Sequence, residues 1–163
     1  MLFRSGYDAF GYIELEKLIL PKNIKEIKAL SLGGLNVPLL EFPEGVKLER
    51  VVLSYSYVPQ LIMPNKFTCD DYPIMMGLFE MVVSDVFYKG TRAEWEALKE
   101  AGAFTDTTFS CGAIGQGGSS LQVFFPIYYY SENEPPLNEE GTAYDDNYWH
   151  YAEDGVTPII WEK

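Results

Sequence analysis

The sequence predicts a β-rich solenoid: short parallel strands stacked in coils of about 22 residues, then one helix and a C-terminal β-hairpin cap. Two observations carry this reading. The first is a phrase that returns through the first half of the chain: Leu15-Glu-Lys-Leu18-Ile-Leu20-Pro21, Val37-Pro-Leu-Leu40-Glu-Phe42-Pro43 and Val58-Pro-Gln-Leu61-Ile-Met63-Pro64, with a looser copy at Val83-Ser-Asp-Val86-Phe-Tyr88-Lys89. The copies begin at 15, 37, 58 and 83, so the steps are 22, 21 and 25 residues, a period typical of solenoids. The second is a change of character after residue 90, where a capped helical segment gives way to aromatic runs separated by turn signals.

In each copy, positions one, four and six are apolar. Positions four and six lie two apart and share one face of a strand, so stacked copies close an inward apolar ladder. The proline at position seven has no N–H to give to a ladder and ends the strand at the same place in each coil. Pro38 and Pro59 shape the turn into the strand. Ile24-Lys-Glu-Ile27 and Val46-Lys-Leu48 form the outer wall, with turns at Gly33-Gly34 and Glu44-Gly45. Tyr7-Asp8-Ala9-Phe10 reads as the tail of a preceding coil.

Thr91 with Glu94 is a capping box that opens a helix; Trp95 and Leu98 share its face, and Gly102 stops it. Residues 104–120 are small, polar and Gly-rich and read as a mobile loop; no Gly-Lys-Ser/Thr follows, so it is not a phosphate loop. Leu121 to Tyr130 reads as one strand, and 131–147 as an acidic loop. Tyr148 to Tyr151 and Val156 to Trp161 flank Asp154-Gly155 as a hairpin. The organisation expected is a solenoid over 1–90, with helix, Gly-rich loop and aromatic cap over 91–163 in the same structural domain.

With 47% apolar residues the chain can bury a core, and its net charge of −12 argues against nucleic acid and against an electrostatic hold on anionic lipid. No membrane insertion is expected, since no stretch approaches the length needed, and the opening Met1-Leu-Phe-Arg-Ser-Gly lacks the apolar run of a signal peptide. Cys69 and Cys111 are too few for a disulfide scaffold; two partly buried thiols are favoured over a bridge between them.

The Leu-x-x-Leu-x-Leu-Pro copies, Ile24-x-x-Ile27 and the Ala9-Phe10 ahead of them resemble the BspA-type leucine-rich repeats of bacterial surface proteins. Val86-Phe-Tyr-Lys-Gly90-Thr91-x-x-Glu94-Trp95 is similar to the way such arrays end. Tyr128-Tyr-Tyr-Ser131-Glu132-x-Glu134-Pro135, Tyr148-Trp149-His150-Tyr151 and Ile160-Trp161 resemble the terminal segment of members from gut Firmicutes. The family repeat carries Ala-Phe and a Cys late in each coil; here only the first partial coil has Ala-Phe, and coils two and three are degenerate. The resemblance implies a curved leucine-rich-repeat solenoid at the cell surface or outside the cell, with adhesion or ligand binding as its role. It implies no catalytic residue.

No enzyme chemistry is expected from the residues, nor any cofactor. His150 is the single histidine, which excludes a His-rich metal site, and between Trp149 and Tyr151 it reads as structural. Glu139-Glu140 and Asp145-Asp146 form acid pairs of the kind a glycosidase uses, but they lie in a loop of like charge. Asp145, Asp146 and Asn147 lack the ligand spacing and glycine of a calcium loop.

A surface is the better candidate. Positions three and five should line the open sheet face: Lys17 and Ile19, Leu39 and Glu41, Gln60 and Ile62, Asp85 and Phe87. Ile19, Leu39, Ile62 and Phe87 make an apolar stripe there, and with Glu41 they are the candidate contacts for a protein partner. The alternative is that the stripe is scattered or is covered by the C-terminal segment. A glycan platform is the second candidate, with Tyr148, Trp149 and Trp161 drawn from the cluster Tyr128, Tyr129, Tyr130, Tyr148, Trp149, Tyr151 and Trp161; the alternative is that these rings plug the solenoid end. A third reading is a purely structural end piece. Because the chain opens inside a coil, it is expected to be a fragment of a longer array or to bury its open N-terminal coil by self-association.

Overall fold

In the computed structural model, which describes residues 2–3, 13–53, 56–70, 83–105, 108–114 and 120–163, the chain is a β-solenoid of about five coils. Its walls are rows of short parallel strands. The first row joins β2 (Ile13–Glu14) to β4 (Leu35–Asn36), and Asn36 bridges on to Tyr57. The second row begins with the bridge Leu18↔Leu40 and runs through β5 (Leu39–Glu41), β7 (Gln60–Met63) and β9 (Asp85–Tyr88). The third joins β1 (Leu2–Phe3), β3 (Glu26–Ile27), β6 (Val46–Leu48) and β8 (Phe67–Cys69). The expected outer wall at Ile24–Ile27 and Val46–Leu48 is this third row. The Tyr7–Phe10 tail lies outside the described residues.

Register follows the repeated phrase. Position four of every copy is aligned, Leu18↔Leu40, Leu40↔Leu61 and Leu61↔Val86. Positions one, four and six of copies two to four are buried: Val37, Leu40, Phe42; Val58, Leu61, Met63; Val83, Val86, Tyr88. Each such side chain contributes about 1.5–3 kcal/mol by leaving water. In the first copy Leu20 is buried, while Leu15 and Leu18 are half-buried and Leu18 makes only an isolated bridge. The strands stop before Pro43 and Pro64, while the carbonyls of Pro38 and Pro59 still accept from Gln60 N at 3.2 Å and Asp85 N at 3.0 Å. Proline thus keeps its acceptor in the ladder although it lacks the donor.

Among the described residues, no buried side-chain polar atom is left without a hydrogen-bond partner. Ser56 Oγ donates to Leu32 O (2.8 Å) and accepts from Leu35 N (3.1 Å), tying one coil to the next. Leu30 (φ 61°) and Val51 (φ 53°) occupy the same corner of successive coils in left-handed backbone, a conformation that costs a non-glycine residue about 1–2 kcal/mol. The Leu30 N–H to Val51 O bond of 3.2 Å spans that corner.

At the fourth coil a helix stands where the third row would continue. In α1 (Arg92–Glu100), Thr91 and Glu94 form the expected capping box. Gly102 (φ 76°) ends it in a Schellman arrangement, with Gly102 N bonded to Lys99 O and Ala103 N to Leu98 O. Ala103 O then takes the Cys69 N–H at 2.7 Å, so the chain rejoins the third row beside β8. Cys69 is a free thiol. Trp95 is the anchor of this corner, its ring 5.0 Å from Tyr88, 4.5 Å from Phe104 and 5.0 Å from Phe109, with Phe67 stacked on Phe104.

The C-terminal third departs from expectation in two places. The Gly-rich stretch contains β10 (Ser110–Ile114), which pairs antiparallel with β11 (Ser120–Phe124). The single strand expected over 121–130 is broken at Phe125-Pro126: Phe125 N still bonds Phe109 O at 2.9 Å, while Pro126, which has no N–H, turns its carbonyl to Val86 N at 3.1 Å. Beyond the break, β12 (Ile127–Tyr130) pairs parallel with β9, with Ile127 aligned on Val86, and so adds another rung to the second row. β13 (Tyr148–Tyr151) pairs parallel with β12, and β14 (Pro158–Ile160) folds back antiparallel as the expected hairpin. The hairpin loop is built on Asp154, which accepts from Val156 N, Thr157 N and Thr157 Oγ1 and is held by these bonds at about 2, with Gly155 at φ 66° beside it.

Gly90 is required where α1 leaves β9. A Cβ there would lie 2.6 Å from the Tyr88 ring and 2.8 Å from Glu94 Oε2. The ring is fully buried, so the clash has no easy relief. Gly90→Ala is expected to lower unfolding stability by about 1–3 kcal/mol, read as a lower urea midpoint at unchanged slope.

Candidate functional site

The candidate site is the outer face of the six-stranded sheet, ordered β14-β13-β12-β9-β7-β5. Strand alternation sends Leu40, Leu61, Val86 and Tyr129 into the main core and leaves their neighbours on the other side. Along the cross-strand rows that other face carries Leu39, Gln60 and Asp85; then Glu41, Ile62, Phe87 and Tyr128; then Tyr130, Trp149 and Ile160.

The apolar stripe is not an open patch. Ile62 and Phe87 have no exposure, and they form a second cluster with Trp149, which has none either. Leu39, Tyr128, Tyr130, Tyr151 and Ile160 pack against this cluster and stay half-buried. Ile19 alone remains open, at 72%. The expectation that Ile62 and Phe87 face a partner is therefore corrected: C-terminal residues cover them, the alternative the sequence left open.

Trp149 is the lid. Its ring centroid lies 5.4 Å from Phe87, 5.3 Å from Tyr130 and 4.8 Å from Tyr151. Its indole N–H donates to Tyr88 O at 2.8 Å. That acceptor is free for it because Tyr130 N bonds Gly90 O instead, at 3.1 Å. A buried indole needs such a partner, and here the bond fixes the ring across β12.

Polar groups ring the cluster on both sides. On one, burial raises the pKa of both the Asp85 carboxyl and the Tyr128 hydroxyl, and their interaction adds to the shift at Tyr128 while opposing it at Asp85. On the other, Lys89 Nζ pairs with Glu41 and lies 5.8 Å over the Tyr151 ring. Burial works against the Lys89 charge, but Glu41 and Tyr151 outweigh it and its pKa is raised. Burial likewise raises the Tyr151 pKa, so this hydroxyl stays protonated and can donate.

The aromatic set proposed as a sugar platform is divided by the same alternation. Trp149 is fully covered and offers no face to a ring, which corrects its place in that platform. Tyr148 packs against the main core, and its hydroxyl donates to Asp145 at 2.8 Å; burial and that carboxylate push it up to about 12. Trp161 is half-buried, with its indole on Ser131 O at 3.0 Å and its ring 4.5 Å from His150. His150 Nδ1 lies 2.9 Å from Tyr151 O, which can only accept, so this nitrogen carries the proton.

The acidic loop is engaged in structure. Asp146 Oδ2 accepts from Arg92 Nη1 at 2.7 Å, joining the loop to α1, and Oδ1 accepts from Asn147 N. Glu139 and Glu140 sit exposed in a turn. Among the described residues no three His, Cys, Asp or Glu side chains converge as a metal site requires.

Sequence reasoning named Tyr128, Tyr130 and Tyr151 in its aromatic cluster but did not place them on this face, and it missed Lys89 beside them. The signal was present: Phe124, Ile127 and Tyr129 repeat positions one, four and six of the phrase, which sends Tyr128 and Tyr130 to the opposite face. The long insertion after Tyr88 hid it. No family model, no curated protein and no solved structure matches the chain.

Two members of the stripe should behave in opposite ways. Phe87→Ser is expected to cost about 3–5 kcal/mol in chemical denaturation, because it opens a cavity under Trp149. Ile19→Ser should stay within about 0.5 kcal/mol of wild type. Equal and small losses would mean that the face is not covered.

Proposed function

We propose that the chain is a non-catalytic recognition module that binds a protein partner across the outer face of its six-stranded sheet. The observation that carries this reading is the arrangement on that face: half-buried Tyr128, Tyr130 and Tyr151, with the Lys89–Glu41 pair and Asp85, around a rigid buried centre. Tyrosines held by packing offer apolar area and a hydroxyl at little entropic cost, and such groups dominate protein interfaces. The resemblance to BspA-type repeats supports the same role. A cell-surface location is part of the proposal and rests on that resemblance alone; among the described residues no helix is long and apolar enough to cross a membrane.

A second reading, a structural end piece of a repeat array, is favoured by one feature. β14 turns back antiparallel and begins with Pro158, which lacks a donor, so the parallel stack has a natural stop there.

A photo-crosslinking residue at Tyr130, compared with one at Tyr57 on the first row, tests the proposal in cells that produce the protein. Cross-linking to one defined protein from position 130 and not from 57 is expected. The charge swap Glu41→Lys with Lys89→Glu should weaken binding of that purified protein by about tenfold or more without lowering thermal stability. No position-specific product would count against a protein-binding face and leave the end-piece reading. Sugar binding lost in the same swap would point to glycan recognition instead.

A further inference from the structure

We propose that β11 is a self-pairing edge: a second copy of this chain adds to it antiparallel and joins two β10–β11 ribbons into a four-stranded sheet. This contact uses a two-stranded sheet separate from the six-stranded one and does not depend on the function proposed for the latter.

Three observations point to it. The first is topology. β10 and β11 pair with each other over five residue pairs, from Ser110↔Phe124 to Ile114↔Ser120, and with no other described strand. A lone two-stranded ribbon is marginal in water, and each strand leaves alternate N–H and C=O groups pointing outward.

The second is the absence of the usual edge protection. Natural edge strands carry Lys, Glu or Pro to deter pairing. The β14 edge opens with Pro158 and is followed by Glu162-Lys163, the β5 edge carries Glu41, and at the β8 edge Ala103 O takes the Cys69 N–H. From Thr107 to Ser131 there is no charged residue at all, in a chain that is 22% charged.

The third observation chooses the occupant. Val123 and Phe124 are neighbours on β11, so they project to opposite faces, and they are 42% and 58% exposed. Two copies of a chain with net charge −12 repel one another wherever their charged surfaces approach. Paired strands sit about 4.8 Å apart, inside the screening length of roughly 8–10 Å, so like charges on the edge would oppose pairing strongly. An uncharged strand is where two such copies can meet. A two-fold axis at β11 sets Val123 and Phe124 of one copy beside the same pair of the other, as an isologous contact requires.

The test is sedimentation of the full chain over a range of concentration, at low and at high ionic strength, with amide exchange followed across the same range. A monomer–dimer equilibrium is expected, strengthened by salt. The backbone amides of 120–124 should slow their exchange as dimer forms. Val123→Lys should raise the dissociation constant by about tenfold or more, with thermal stability unchanged because the side chain is exposed. If that variant fails to fold, the exchange data on the wild-type chain decide alone. A chain that stays monomeric at all concentrations, or that dimerises with the 120–124 amides unaltered, overturns the proposal.

Discussion

Everything in this molecule depends on the register of one row. Leu18, Leu40, Leu61, Val86 and Ile127 stand in line across successive strands, and each alignment fixes which neighbours point inward. Because the side-chain period of a strand is two, a slip by one residue would exchange the two faces entirely. The inward set is apolar, with Leu40, Leu61 and Val86 fully buried and Leu18 and Ile127 packed against the core, so any slip loses that burial at every rung at once. The phrase needs no more than three apolar positions and a terminating proline to impose this.

The same constraint produces the outer face. Once Val86 and Tyr88 are committed to the core, Phe87 must face out, and two large apolar side chains, Phe87 and Ile62, then need cover. Trp149 supplies it from two strands away, guided by the bond from its indole to Tyr88 O. The rim residues are what remains exposed after that covering. The face thereby changes from an apolar patch, which would aggregate, into tyrosines and paired charges on a fixed base. The recognition proposed for this face and the termination of the stack by β13 and β14 would both follow from one packing solution.

The solenoid, the helix with both of its caps and the terminal hairpin were legible in the sequence because each rests on a local rule: a period, a capping box, an Asp-Gly turn. The inward set was legible for the same reason. The cover over Ile62 and Phe87 was not, since no local pattern reports that residue 149 will return to lie beside residue 87. The rung at β12 was hidden by distance too, 41 residues after its predecessor at Val86, although Ile127-Tyr-Tyr129 repeats Val86-Phe-Tyr88. The strand break at Pro126 could have been read, because a proline inside a strand removes a ladder donor. Of the candidate site, sequence named Glu41 and Leu39 on the correct face and placed Ile62 and Phe87 there too, but its rim came only with the strands that complete the sheet.

The central claim is that β12 and β13 belong to the same cooperative stack as β5, β7 and β9. Native-state amide exchange measures this directly. The account predicts that the slowest amides of 127–130 and 148–151 share, within error, the opening free energy of those in 60–63 and 85–88. Exchange of the C-terminal strands through a separate opening, several kcal/mol easier than global unfolding, would contradict it.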